Sequence, residues 1–214
     1  CDVLVMSATP IPRTMMMTIY GDMDISLIKS KPKNRLPIKT FSKNETKIHD
    51  VINFIKSEIT KKNQVFWVCP LIKESKKIDN QSAIEKYKYL SKIFKDKVDI
   101  VHGSMSKEEK DIVLNKFNCR RIDILVSTTV IEVGIDFPNA NVIVIENSNK
   151  YGLSQLHQLR GRVGRGNKES SCILMFKAGL SENARKRITI LKNTNDGFKI
   201  AEEDLKIRGY GDIL

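Results

Sequence analysis

Along the chain, short runs of branched apolar residues alternate with stretches in which apolar positions recur every three or four residues. Residues 64–69 (QVFWVC), 98–101, 122–127, 141–146 and 172–176 are nearly continuous apolar runs bounded by polar turns, which predicts strands buried on both faces. Between them Ile48, Val51, Ile52, Ile55 and Ile59 share one helical face. Ser42-x-x-Glu45, Ser82-x-x-Glu85 and Ser106-x-x-Glu109 have the spacing of capping boxes, so a helix is predicted to open at each, the third running through Phe117. A further helix is predicted over 153–163. Such alternation of strand and helix specifies an α/β fold, a doubly wound parallel sheet with helices on both faces.

The flanks read differently. Residues 3–6 form an apolar run broken by Pro10 and Pro12, as in a strand leaving its sheet for a loop. A Lys/Pro-rich stretch over 29–37 has the composition of an exposed connector. Beyond Ser181 the strand signal stops, and helical segments near 182–192 and 198–207 flank Asn195-Asp196-Gly197, which predicts a helical hairpin beyond the sheet. The organisation expected is therefore the tail of a preceding domain over 1–28, a connector over 29–40, the α/β domain over 41–180 and the hairpin over 181–214, with the chain truncated at both ends.

Composition narrows the function classes. With 41% hydrophobic and 29% charged residues in 214, the chain has the balance of a folded soluble protein. No apolar run approaches the roughly 20 residues needed to cross a bilayer, and the amino terminus does not carry a secretory pattern, so an intracellular, cytoplasmic protein is expected. Cys1, Cys69, Cys119 and Cys172 are too far apart to build a local metal cluster, and reduced thiols are expected. The formal charge is +12, and residues 151–200 hold ten Lys or Arg against three acids, a local surplus that suits a polyanion.

That surplus centres on Gln155-Leu-His-Gln-Leu-Arg-Gly-Arg-Val-Gly-Arg-Gly166. Arg160, Arg162 and Arg165 are an odd choice for a helix packed on a sheet, and the intervening glycines allow close approach of backbone and guanidinium to a ligand. Phosphate is the natural target, because a planar fork of donors matches its oxygens. A second segment, Ser127-Thr-Thr-Val-Ile-Glu-Val-Gly-Ile-Asp-Phe-Pro-Asn139, follows a buried strand, where open α/β sheets bind ligands. Met6-Ser-Ala-Thr-Pro-Ile-Pro-Arg13 places small hydroxyls at a strand end, suited to tight contact between lobes.

These segments together resemble the superfamily 2 helicases. Gln158-x-x-Gly161-Arg162-x-x-Arg165 resembles motif VI of that superfamily, which implies Arg165 as an arginine finger toward ATP, Arg162 as its partner and Gln158 as an orienting group. The 127–139 segment resembles motif V. It implies Thr128 or Thr129 at a nucleic-acid phosphate and Gly134 and Asp136 near the nucleotide. Ser7-Ala8-Thr9 resembles motif III, which couples hydrolysis to strand movement, and Phe66-Trp-Val-Cys-Pro70 resembles motif IV. Val101-His-Gly-Ser-Met105 resembles a backbone-tracking loop, implying His102 and Ser104 as phosphate contacts.

Within the superfamily, the 155–166 run and Thr194-Asn-Asp-Gly-Phe-Lys-Ile-Ala-Glu-Glu-Asp-Leu-Lys-Ile-Arg-Gly209 resemble the RecG family of branch-migration helicases, with Arg208 in its translocation motif. The resemblance departs at Ser7, where Thr is usual, and at Tyr210, where Pro is common. It implies a monomeric motor lobe acting on branched or duplex DNA beside an amino-terminal RecA-like lobe that holds ATP and Mg²⁺. The sequence itself has no GxxxxGK[ST] loop and no Asp-Glu-x-His box, so this chain alone is expected to be inactive. Two alternatives stand beside it: a transcription-repair coupling translocase, which carries Tyr where His157 stands, and a basic module that binds nucleic acid without any motor.

Overall fold

The structure, a computed structural model, describes residues 26, 28, 35–70, 76–128 and 137–208. Its strands are β1 (Lys39–Asn44), β2 (Gln64–Cys69), β3 (Val98–Val101), β4 (Ile124–Thr128), β5 (Ala140–Ile145) and β6 (Ser171–Phe176). All pair in parallel, in the order β1-β6-β5-β2-β4-β3. Parallel neighbours need crossovers, and the chain supplies helices: α1 (Ile48–Thr60), α2 (Lys76–Phe94), α3 (Lys107–Asn118), α4 (Leu153–Arg160), α5 (Glu182–Asn193) and α6 (Gly197–Arg208).

The period of two in each strand sorts side chains into two cores. Val65, Trp67 and Cys69 of β2 face α1 and α2, together with Val51, Ile52, Ile55 and Leu90. Phe66 and Val68 face the opposite layer, built on Phe117, Leu153, Leu156, Leu159, Ile188, Leu191 and Ile200 from α3 to α6. Each such side chain, fully buried, contributes about 1.5–3 kcal/mol. The doubly wound architecture expected from the apolar runs is thus present.

Three local readings are corrected. Residues 39–44 are a strand, so Ser42 lies in β1 opposite Leu174 and caps no helix. The turn into α1 is instead closed by Asn44, whose side chain accepts from the Thr46 N–H at 3.0 Å. The sequence hides this strand because it lies on an edge: Lys39, Phe41 and Lys43 are exposed, leaving no apolar run to find, and the lysines guard the open edge. Ser82 and Glu85 lie inside α2, which begins at Lys76. The helix predicted over 153–163 ends at Arg160, where Gly161 caps it with an N–H to the His157 carbonyl at 3.0 Å. Ser106 and Glu109, by contrast, form the reciprocal capping box that their spacing specifies.

Helices α5 and α6 are both found, α5 packing against β1 and α4, and α6 packing on α4 and α5. Ile188, Leu191 and Ile200 join the core, and the Ser154 hydroxyl of α4 donates to the buried Asp204 carboxylate of α6 at 2.6 Å. No helix among the described residues is long and apolar enough to cross a membrane, and none of their His, Cys, Asp and Glu side chains form a metal-binding group.

Candidate functional site

Leu153, Leu156 and Leu159 hold α4 against the sheet, and the chain then turns through residues 161–166. This loop lies beyond the amino ends of β1, β5 and β6. Arg35, four residues before β1, donates from Nε to the Gly164 carbonyl at 3.1 Å and from Nη2 to the Gly161 carbonyl at 3.4 Å. Gly164 has φ +74°, and a Cβ there would sit 3.1 Å from the Ile38 side chain. At Gly166 a Cβ would meet the Pro138 carbonyl oxygen at 2.7 Å, just ahead of β5. Gly164 thus lets the loop approach the Ile38 side chain, and Gly166 lets it approach the Pro138 backbone.

The three arginines have separate fates. Arg160 is fully buried and closes the end of α5: its Nη1 donates to the Leu191 carbonyl at 2.7 Å and the Thr194 carbonyl at 2.9 Å, and its Nη2 meets His157 Nδ1 at 3.1 Å. A cation there satisfies carbonyls that a helix end leaves open, and it opposes the negative end of the helix dipole. Arg160 is therefore structural, a correction to its expected place beside phosphate.

Arg162 and Arg165 remain at the surface. Arg162 is half-buried, and its guanidinium is held below the usual arginine value first by that burial and then by the positive charge of Arg165. No carboxylate among the described residues forms an ion pair with Arg162. Arg165 is exposed. A desolvated cation beside a second cation is a place where an anion gains more than it would in water, because it relieves both penalties together. Gln158 is exposed on the last turn of α4, one turn before this pair.

The expected nucleic-acid contacts lie at the opposite end of the sheet. His102 and Ser104 follow β3, with the Ser104 hydroxyl and His102 Nδ1 2.9 Å apart on an accessible turn. Thr128 ends β4 and is buried at 3% exposure, so its hydroxyl offers almost no surface to a ligand. A cleft of about 650 Å³ opens at the same end, lined by Glu45, Glu85, Lys86, Glu146 and Lys177 among others. Lys86 pairs with Glu146 at 2.7 Å and lies over the rings of Trp67 and Tyr89, while burial and then the Glu146 charge push the Cys69 thiol well up.

Ser7, Ala8, Thr9, Thr129, Gly134 and Asp136 lie outside the described residues, and Arg208 ends α6 with its side chain outside them as well. Phe137 anchors the far end of the 127–139 segment, packing against Phe66 and Phe117 with ring centres 5.6 and 5.3 Å away. Sequence reasoning missed Arg35, which sits in a Lys/Pro-rich stretch without periodicity. It also missed a buried polar chain beneath the arginine loop: the Ser170 hydroxyl and Asn63 both bond Asn141, and Asn63 donates to Glu58 at 2.7 Å. A polar Asn at the head of the apolar run 141–146 was the available signal.

Comparison with known proteins agrees with this geometry. The helicase conserved C-terminal domain profile matches residues 46–167. The chain is 47% identical over 215 residues to the ATP-dependent DNA helicase RecG of Bacillus subtilis, covering 100% of this chain and 31% of that protein. It is 50% identical over 215 residues to RecG of Thermotoga maritima, covering 100% of this chain and 27% of that protein. The chain thus spans about three tenths of the length of these curated relatives. A structure of RecG bound to a three-way DNA junction superposes with a TM-score of 0.82 at 48% identity, over 100% of this chain and 28% of that one. A single-residue variant of Saccharomyces cerevisiae Dbp5 bound to RNA and ADP BeF3 shares the fold, with a TM-score of 0.61 at 18% identity over 92% of this chain and 52% of that one. With sheet, loop and sequence in agreement, the chain belongs to the helicase conserved C-terminal domain family.

Proposed function

We propose that this chain is the second motor lobe of an ATP-dependent DNA helicase that acts on branched DNA, such as stalled forks and Holliday junctions. The observation that carries the reading is the Arg162–Arg165 pair: two neighbouring guanidiniums beyond the amino ends of the strands, Arg162 without a carboxylate partner among the described residues, in a sequence with no phosphate-gripping loop of its own. Such a pair has its use when a triphosphate and Mg²⁺ are presented by a neighbouring RecA-like lobe of the full-length protein. Arg165 then stabilises charge developing on the transferred phosphoryl group, Arg162 supports it, and Gln158 orients the same region. Gly134 and Asp136 complete the nucleotide side.

DNA is met at the opposite end of the sheet. His102, Ser104 and Thr128 or Thr129 contact its backbone, while Ser7-Ala8-Thr9 couples hydrolysis to movement and Arg208 passes that movement to the duplex. Separating the two ends allows one lobe to move on its neighbour while keeping its grip on a strand. In the full-length protein, Arg165→Ala is expected to lower DNA-stimulated ATP turnover by about 10³-fold or more while junction binding stays within a few-fold. Unchanged turnover would remove the finger role.

A further inference from the structure

The amino ends of β2, β4 and β3 carry a second row of cations that the arginine loop does not use. Lys62 precedes β2, Arg120 precedes β4 and Lys95 precedes β3, and these three strands are neighbours in the sheet. The turns that carry them are tied together, the Val65 N–H donating to the Asp123 carbonyl at 2.9 Å and the Asp123 N–H to the Lys97 carbonyl at 2.8 Å. Buried Gln64 locks the arrangement from below, donating to the Phe117 and Ile122 carbonyls at 2.6 and 2.9 Å. Lys61, Lys62, Lys95, Lys97, Arg120 and Arg121 face outward on this rim against Glu58, Asp96 and Asp123, with Lys61 paired to Glu58 at 2.7 Å and Lys97 lying 4.0 Å from Asp123.

The backbone makes the choice of residue unusual. Lys62, Lys95 and Arg120 have φ of 62°, 56° and 56°, the left-handed region that favours glycine or asparagine; Lys95 directly follows α2, and Lys62 and Arg120 each follow the cap residue of α1 and α3. At α1 and α3 the hydrogen bonds are those of a helix stop built for glycine: Asn63 N–H to the Glu58 carbonyl at 3.0 Å, and Arg121 N–H to the Lys116 carbonyl at 2.9 Å. Compensation of the helix dipoles does not require cations at these positions, because Lys61, Lys92 and Lys116 already occupy the helix ends. Lys62 and Lys95 form no ion pair among the described residues, while Arg120 bonds the Asn139 side-chain oxygen and lies near enough to Asp123 for its charge to oppose the burial that raises that carboxyl.

We infer that this rim is a second nucleic-acid contact surface that grips the phosphate backbone of DNA through Lys62, Arg120 and Lys95. Strand neighbours lie about 4.8 Å apart, so three such side chains span a distance that long, flexible cations can match to successive phosphates. A row with few acids, on tied turns and without shaped apolar pockets, fits a backbone better than a folded acidic surface. The inference takes DNA as the polyanion from the reading above, but it does not depend on the arginine finger.

The test is Lys62→Gly, Lys95→Gly and Arg120→Gly combined in the full-length protein, with duplex and junction DNA titrated between 50 and 200 mM salt. Glycine relieves the backbone at all three turns, so the thermal midpoint is expected to hold or rise. The slope of log affinity against log salt is expected to fall by about 2.7, at 0.9 per lost phosphate contact, and binding at low salt to weaken at least about tenfold. An unchanged slope and affinity overturns the inference. Loss of DNA-free ATP hydrolysis with DNA binding intact also overturns it, since the rim would then meet a protein surface. Arg165→Ala, read by turnover, leaves this titration unchanged, which keeps the two proposals apart.

Discussion

At the scale of single residues, the three arginines of one motif show how far residue type can be read. The motif suggests all three as phosphate-binding groups, yet Arg160 is consumed by the end of α5, because its side chain reaches the Leu191 and Thr194 carbonyls. No spacing rule exposes that, since the partners lie more than thirty positions away. Arg160→Met is expected to cost about 3 kcal/mol, as buried carbonyls lose charged donors, and chemical denaturation of the full-length protein measures it. Gly166→Ala drives a Cβ into the Pro138 carbonyl, so the loop must shift. A loss of about 1–3 kcal/mol is expected, with hydrolysis falling more steeply than DNA binding.

Burial also divides the cysteines. The Cys172 thiol is pushed up to about 12 by desolvation and Cys69 is raised too, whereas Cys119 is exposed. At pH 8 an alkylating reagent should modify Cys119 and leave Cys69 and Cys172 intact until the protein unfolds, as peptide mass mapping would show. The native state keeps both protons where an unfolded chain releases them near pH 8.5. Their stabilising contribution is therefore present below that pH and declines above it.

At the scale of elements, the central strands and the edge strand β3 were legible and the edge strand β1 was not. Runs such as 64–69 and 141–145 show themselves directly, because every position is buried and nearly every one is apolar. Strand β1 has one edge in solvent, so its lysines imitate a connector. Capping boxes were legible only where tertiary structure agreed: Ser106 begins a helix, Ser82 sits inside one, and Ser42 lies in a strand. A local motif specifies a possible boundary, and packing decides whether it is used.

At the scale of the whole molecule, the nucleotide is assigned to the amino ends of β1, β5 and β6, the first nucleic-acid contacts to the carboxyl ends, and the second DNA rim to the amino ends of β2, β4 and β3. The usual rule for open sheets predicts ligands at the carboxyl ends, and the arginine loop departs from it. The reason is topological: α4 starts after the carboxyl end of β5 and carries its own end back across the face, delivering Arg162 and Arg165 to the far side. Sequence order alone does not give that direction.

The central claim is that Arg162 and Arg165 meet a transferring phosphoryl group. The most direct measurement is the affinity of the full-length protein for ADP with aluminium fluoride, a mimic of that group, against its affinity for ADP alone. The account predicts that Arg165→Ala and Arg162→Ala each weaken the mimic about 100-fold or more while ADP changes within a few-fold, because the contact exists only where the charge develops. Equal effects on both ligands, or no effect on either, would contradict it.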